Sequence, residues 1–317
     1  MKFWEFIKEK LEQSKKLMLL VVIDSKGSSP GRLGFKMAVC DDLDLAGSVG
    51  GGSMEYDIVE LARAMLHLGR PGPVMKKQIH KTNAGEEHSG MICSGEQTIV
   101  LIALEERHKT AINLIVSYIN NDKTGVLRIS TDGFSFIPEG TLNQPISTFI
   151  ENEAKWEYKE LAGYKNRICI IGAGHVGLAL SKLMKDLGFI VEIFDDRENL
   201  NTYENNVYAD KKQLIKYSNI DQLVPEGDSV YVVIMTFTHK SDQDVLAKLI
   251  GKKFKYLGLM GSKTKVAKLY QNIGYQPDKE DAPKIYSPIG IPIHSKTPME
   301  IAVSIAAEII RVKNGRE

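Results

Sequence analysis

One short stretch limits the folding of this chain more than any other. Residues 167–171 are an apolar strand-like run, and Gly172-Ala-Gly-His-Val-Gly177 follows at once, opening onto a helical pattern over 178–187. A strand, a Gly-x-Gly-x-x-Gly turn and a helix in that order are the start of a βαβ unit. Gly172 allows the tight turn, Gly174 lets the main chain approach a diphosphate, and Gly177 lets helix and strand pack closely. The helix start offers unpaired N–H groups to an anion. Asp195 closes the next strand, 23 residues after Gly172, where a ribose-binding carboxylate belongs. Asp196 and Arg197 stand beside it, which leaves NAD and NADP both open. A Rossmann-like fold that uses no nucleotide is the alternative.

The grammar continues to the C-terminus. Strands are expected over 189–194, 229–236 and 256–260, with helices over 242–250 and 263–273. Such alternation specifies a parallel sheet covered by helices. Thr297-Pro-Met-Glu300 is a capping box ahead of an apolar helix over 301–310.

The N-terminal half reads differently. Residues 1–16 suit an amphipathic helix with Phe3, Phe6, Ile7 and Leu11 on one side. Strands are expected over 17–23, 35–40, 74–81 and 97–104, and helices over 54–68 and 108–120. Residues 121–160 are polar and read as irregular. The expected architecture is therefore α/β: an N-terminal α+β domain over 1–150, with a linker from about 121, then a Rossmann-like domain over 151–317.

Composition narrows function. Forty-one Lys plus Arg against forty Asp plus Glu leave +1, with no basic face for nucleic acid. No apolar run approaches the ~20 residues that span a bilayer, and residues 1–10 carry charge where a signal peptide needs an apolar core. A cytoplasmic protein without a membrane contact is expected. The three cysteines, Cys40, Cys93 and Cys169, form no disulfide framework or zinc spacing, so no metal site is expected.

Several residues are candidates for chemistry. Gly50, Gly51 and Gly52 precede a helix and can present N–H groups to an anion. Glu55 would repel that anion, and the plain alternative is a tight connection with Ser53 as N-cap. Cys93, between Gly90 and Gly95, is either a nucleophile or sulfur ligand or a small packing residue. His239 follows a strand at the carboxyl edge of the sheet and is either a general acid/base or an exposed loop residue.

These blocks together resemble the XdhC/CoxI family, the xanthine dehydrogenase accessory proteins. The resemblance runs through Gly27-Ser-Ser-Pro30, Gly34-Phe-Lys-Met37, Gly47-Ser-Val-Gly-Gly-Gly52 with Glu55, Gly90-Met-Ile-Cys93, the Gly172–Gly177 turn, Asp195-Asp-Arg197, Thr238-His239 with Asp244, Gly258-Leu-Met-Gly-Ser262, Ser287-Pro-Ile-Gly290 and Thr297-Pro-Met-Glu-Ile301. Many members carry Cys where this chain has Ser53. The resemblance implies a molybdenum-cofactor chaperone, more a maturation factor than a turnover enzyme. It would bind molybdopterin, support its sulfuration with a cysteine desulfurase, and deliver it to a xanthine dehydrogenase-type apoenzyme. Gly50, Gly51, Gly52 and Cys93 would line one wall of an interdomain cleft, and Gly172, Gly174, Gly177, Asp195 and His239 the other. A homodimer is expected as the commonest assembly. The alternatives are an NAD(P)-dependent oxidoreductase, a silent adaptor, and a handler of ATP or CTP at the glycine turn.

Overall fold

The computed structural model describes residues 3–70, 72–80, 95–121, 123–142 and 144–315. The chain divides into two compact units, Met1–Tyr164 and Lys165–Glu317.

The first unit is built on strand β1 (Leu17–Gly27), which is buried from Leu17 to Ile23. It pairs antiparallel with β2 (Lys36–Cys40) on one side and β5 (Gly95–Leu104) on the other. β3 (Leu45–Gly47) and β4 (Val74–His80) complete the order β3-β2-β1-β5-β4. A strand alternates its side chains between two faces, and both faces here are covered. Met18, Leu20 and Val22 pack against Ile58, Val59, Ala62 and Met65 of helix α2 (Gly52–His67). Leu17, Leu19, Val21 and Ile23 pack with helices α1 (Phe3–Glu12) and α3 (Lys109–Asn120). That double burial explains an unbroken apolar run with no polar alternation.

Residues 125–162 are not irregular. They form β6 (Gly125–Ser130), β7 (Gly133–Pro138), β8 (Ile146–Asn152) and β9 (Lys155–Ala162), an antiparallel sheet in the order β7-β6-β9-β8. Trp156, Tyr158 and Ala162 of β9 enter the core shared with β1, α1 and α3. The intervening charges point outward and pair across strands, with Arg128 Nε donating to Glu157 at 2.5 Å. The expected linker is thus a sheet of the first unit, and the boundary expected at 150 falls inside β8; the two units meet at Tyr164–Lys165.

The second unit is a five-stranded parallel sheet in the order β12-β11-β10-β13-β14, from β10 (Arg167–Ile171), β11 (Ile190–Asp195), β12 (Lys211–Leu214), β13 (Gly227–Ile234) and β14 (Phe254–Leu259). Between β11 and β13 come two four-residue helices, α5 (Asn201–Glu204) and α6 (Ile220–Leu223). One face of the sheet packs on α4 (His175–Asp186) and α9 (Pro298–Lys313). The other packs on α7 (His239–Leu249) and α8 (Lys263–Ile273). The strand order reverses direction between β10 and β13, so their carboxyl ends form the crevice where doubly wound sheets take ligands. Among the described residues, no helix is long and apolar enough to cross a membrane.

Candidate functional site

The crevice of the second unit is built around Gly172. Its φ is +120°, and a Cβ there would lie 2.2 Å from the Met235 carbonyl oxygen. Only glycine permits both that backbone and the close approach of the β10 and β13 ends. Gly177 is similarly constrained, since a Cβ would lie 2.3 Å from the Gly172 carbonyl oxygen. Gly174 is the N-cap of α4 and differs from both. A Cβ there would meet nothing within 4 Å. No side chain caps the helix, and its first turn holds no acidic residue. The start of α4 is an open, positively polarised patch of main chain, which suits a phosphate.

Asp195 is fully buried at the end of β11. Its Oδ2 accepts from the Ala173 N–H at 2.7 Å and from Arg197 Nη2 at 2.8 Å, while Oδ1 accepts from Arg197 Nε at 2.8 Å and the Arg197 N–H at 3.0 Å. Burial raises the carboxyl's affinity for a proton, but the bonds from Arg197 and Ala173 outweigh it, and the group ends below its ordinary value. Asp195 therefore stays ionised and locks the glycine turn. Each of its oxygens is engaged twice by the chain itself, so the expected ribose contact would have to displace Arg197. The Arg197 guanidinium also lies over the Phe237 ring, 4.9 Å from its centroid, and Phe237 is 76% exposed.

A second carboxylate organises the end of β13. Asp242 is fully buried, accepts from the Thr236 N–H at 2.8 Å and the Thr236 hydroxyl at 2.6 Å, and pairs with Lys265 Nζ at 2.7 Å. His239 is the first residue of α7 and is exposed. It borders a cleft of about 340 Å³ between α7 and α8, with Lys240, Lys265, Lys268 and Asn272.

In the first unit, the Gly50–Gly52 run has a different fate. Glu55 folds back from the first turn of α2. One oxygen, Oε2, accepts from the Ser48 hydroxyl at 2.6 Å, the Val49 N–H at 2.8 Å and the Gly51 N–H at 3.0 Å. Burial raises the Glu55 carboxyl, yet these donors prevail and the group ends below its ordinary value. Of the N–H groups expected to cradle an outside anion, that of Gly51 binds the chain's own carboxylate and that of Gly50 donates to the Ser48 hydroxyl, and the Glu55 charge opposes an anionic cofactor at this turn. Gly51, not Ser53, is the N-cap of α2. Against this turn lies the Gly27–Gly31 turn: a Cβ on Gly50 would sit 2.6 Å from the Gly31 nitrogen, and one on Gly95 would sit 2.4 Å from the Ser29 nitrogen. The buried Gln97 amide secures the arrangement. Its oxygen accepts from the Ser29 hydroxyl and the Gly31 N–H, both at 2.9 Å, and its nitrogen donates to Gln78 at 2.8 Å. Three separated sequence blocks thereby meet main chain to main chain. Cys93 lies outside the described residues. Burial pushes the Cys40 thiol up to about 11 and the Cys169 thiol up to about 12, as befits packing residues.

The sequence did not single out Gln97, Asp242 or the Arg197–Phe237 pair. A polar residue opening an otherwise apolar strand was the available signal for Gln97. An acid in the first turn of a helix was the signal for Asp242.

Comparison with known proteins decides the family. The model described as the XdhC Rossmann domain matches residues 168–309, and the one described as the XdhC and CoxI family matches residues 11–77. This chain belongs to the XdhC and CoxI family. Among curated relatives, it is 24% identical over 310 residues to the uncharacterized protein YqeB of Escherichia coli K12, covering 96% of this chain and 44% of that protein. It is 30% identical over 152 residues to a probable xanthine dehydrogenase subunit of Bacillus subtilis 168, covering 47% of this chain and 43% of that protein. The chain thus spans under half the length of these curated relatives. A solved structure described as a xanthine dehydrogenase from Bacillus halodurans superposes with a TM-score of 0.75 at 22% identity, over 100% of this chain and 97% of that one. That likeness is one of fold.

Proposed function

We propose that this chain is an accessory protein for a xanthine dehydrogenase-type molybdenum hydroxylase, and that its Rossmann unit holds molybdopterin at the Gly172–Gly177 turn. The observation that carries the reading is the start of α4, glycine-lined, uncapped and free of acidic residues. A phosphate-bearing cofactor needs such donors, and few other features of a fold supply them without a counter-charge. Family membership and the name of the Bacillus subtilis relative support the client class.

The chain's own residues have distinct parts in this reading. Gly174 and the α4 N–H groups bind the phosphate. Asp195 holds the turn in shape through Ala173. His239, at the carboxyl edge, serves as the acid/base candidate, and Cys93 serves as the thiol that receives or guards sulfur from a cysteine desulfurase. The molybdenum cofactor, the metal-loaded form of molybdopterin, would supply the molybdenum centre that the client needs. The working assembly in this reading is a cytoplasmic homodimer that meets its client transiently. The rival reading, an oxidoreductase that uses NAD, requires Asp195 to exchange its bonds to Arg197 for a ribose diol.

Purification from a molybdenum-replete host, with pterin fluorescence after oxidation, tests the proposal. Wild type is expected to retain pterin and Gly174→Asp to lose it, while Cys93→Ala retains pterin but leaves a co-produced dehydrogenase undersulfurated. Wild type without pterin, beside a dehydrogenase that matures normally in its absence, would overturn it.

A further inference from the structure

The Rossmann unit has an aromatic ring and a guanidinium stacked at the mouth of its glycine turn. Phe237 follows β13 by three residues, and Gly172 fixes the neighbouring main chain, because Met235 lies against it. The ring is 76% exposed. Arg197 covers one face at 4.9 Å. The same guanidinium grips Asp195 through Nε and Nη2, both at 2.8 Å. A fork-on-fork pair uses both carboxylate oxygens in the plane. A ribose diol would need those same two oxygens.

We infer that Arg197 and Phe237 set the specificity of this crevice. Arg197 denies Asp195 to a ribose diol, and the Phe237 ring, backed by that cation, stacks a flat heterocycle whose phosphate sits at the start of α4. The ligand class is a phosphorylated planar heterocycle that presents no free diol to Asp195. The inference rests on the reading above that this turn binds an anionic cofactor, and it names the part of the ligand that the turn does not touch. A guanidinium backing favours an electron-rich ring, and stacking of a base on an aromatic side chain is worth about tenfold or more in affinity.

The test is a fluorescence titration of the full chain with 6-hydroxymethylpterin diphosphate and with NADH, each in competition with inorganic pyrophosphate. Wild type is expected to bind the pterin diphosphate at least tenfold more tightly than NADH. Phe237→Leu, at an exposed position that leaves the fold intact, is expected to weaken the pterin about tenfold and leave pyrophosphate binding unchanged. Arg197→Ala is expected to gain NADH binding by about tenfold as Asp195 becomes free; if that variant fails to fold, Arg197→Lys, which keeps the charge without the fork, is read the same way. Pterin affinity unchanged in Phe237→Leu, or wild type preferring NADH, would overturn the inference while the phosphate reading stands. Wild type that binds neither pyrophosphate nor the pterin would overturn the phosphate reading itself.

Discussion

The turn before α2 and the turn before α4 are both glycine runs that carry a strand into a helix with positive φ angles, at Gly50, Gly51 and Gly52 in one and at Gly172 in the other. At the first, a carboxylate from the helix's own first turn reaches back and takes two main-chain N–H groups and a hydroxyl. At the second, the carboxylate comes from the next strand, takes one N–H from the side, and is neutralised by Arg197. The helix start itself is left bare. The lesson is that glycines make an anion nest possible, and the nearest acid decides whether it is already full. Four substitutions test that contrast.

Asp195→Ala is expected to have the largest effect. It removes a fully buried carboxylate and leaves the Arg197 guanidinium and the Ala173 N–H without their partner, at a cost of about 3–5 kcal/mol. Urea denaturation measures it, and a loss under about 1 kcal/mol would mean that the turn holds its shape unaided. Gly172→Ala comes next. A Cβ placed 2.2 Å from the Met235 carbonyl, on a backbone with φ +120°, forces β10 and β13 apart at an expected cost of about 3 kcal/mol.

Glu55→Gln is milder, at about 1–2 kcal/mol, because the amide keeps some of the hydrogen bonds and loses the charge. Its pH signature is sharper than its size. The folded Glu55 carboxyl lies below its unfolded value of 4.5. Its contribution is therefore complete above that value and fades as pH falls through the folded value. Wild-type stability should drop more steeply than that of Glu55→Gln below about pH 4.5, and parallel acid limbs would deny the clamp. Gly174→Ala is expected to change stability by less than about 0.5 kcal/mol, since the Cβ enters open space at φ −69°. A large loss there would mean that the space is not open.

Four of the five Rossmann strands were legible: they are buried and read as apolar runs, and the turn glycines have a mechanism attached. β12, Lys-Lys-Gln-Leu at the sheet edge, is mostly exposed and carries no such signal, and α5 and α6 on either side of it are only four residues each. β6 to β9 were not legible. Lys155-Trp-Glu-Tyr-Lys-Glu160 alternates as a half-buried strand should, yet its outward charges, among them Glu157 bonded to Arg128, mimic a solvated linker. The charge of Glu55 was visible as a repulsion, but its fold-back onto Val49 and Gly51 depends on backbone geometry that residue spacing does not encode. Asp195 was found but its partner was not, because the Arg197 fork two residues along closes over it only once β11 has ended.

The central claim is that one of the two glycine turns is full and the other is open. Calorimetric titration of inorganic pyrophosphate into wild type, Glu55→Gln and Gly174→Asp tests it most directly. The last variant gives α4 the carboxylate that α2 already has. The account predicts one pyrophosphate per chain in wild type and in Glu55→Gln, and none in Gly174→Asp. Binding that survives Gly174→Asp, or that vanishes with Glu55→Gln, would contradict it.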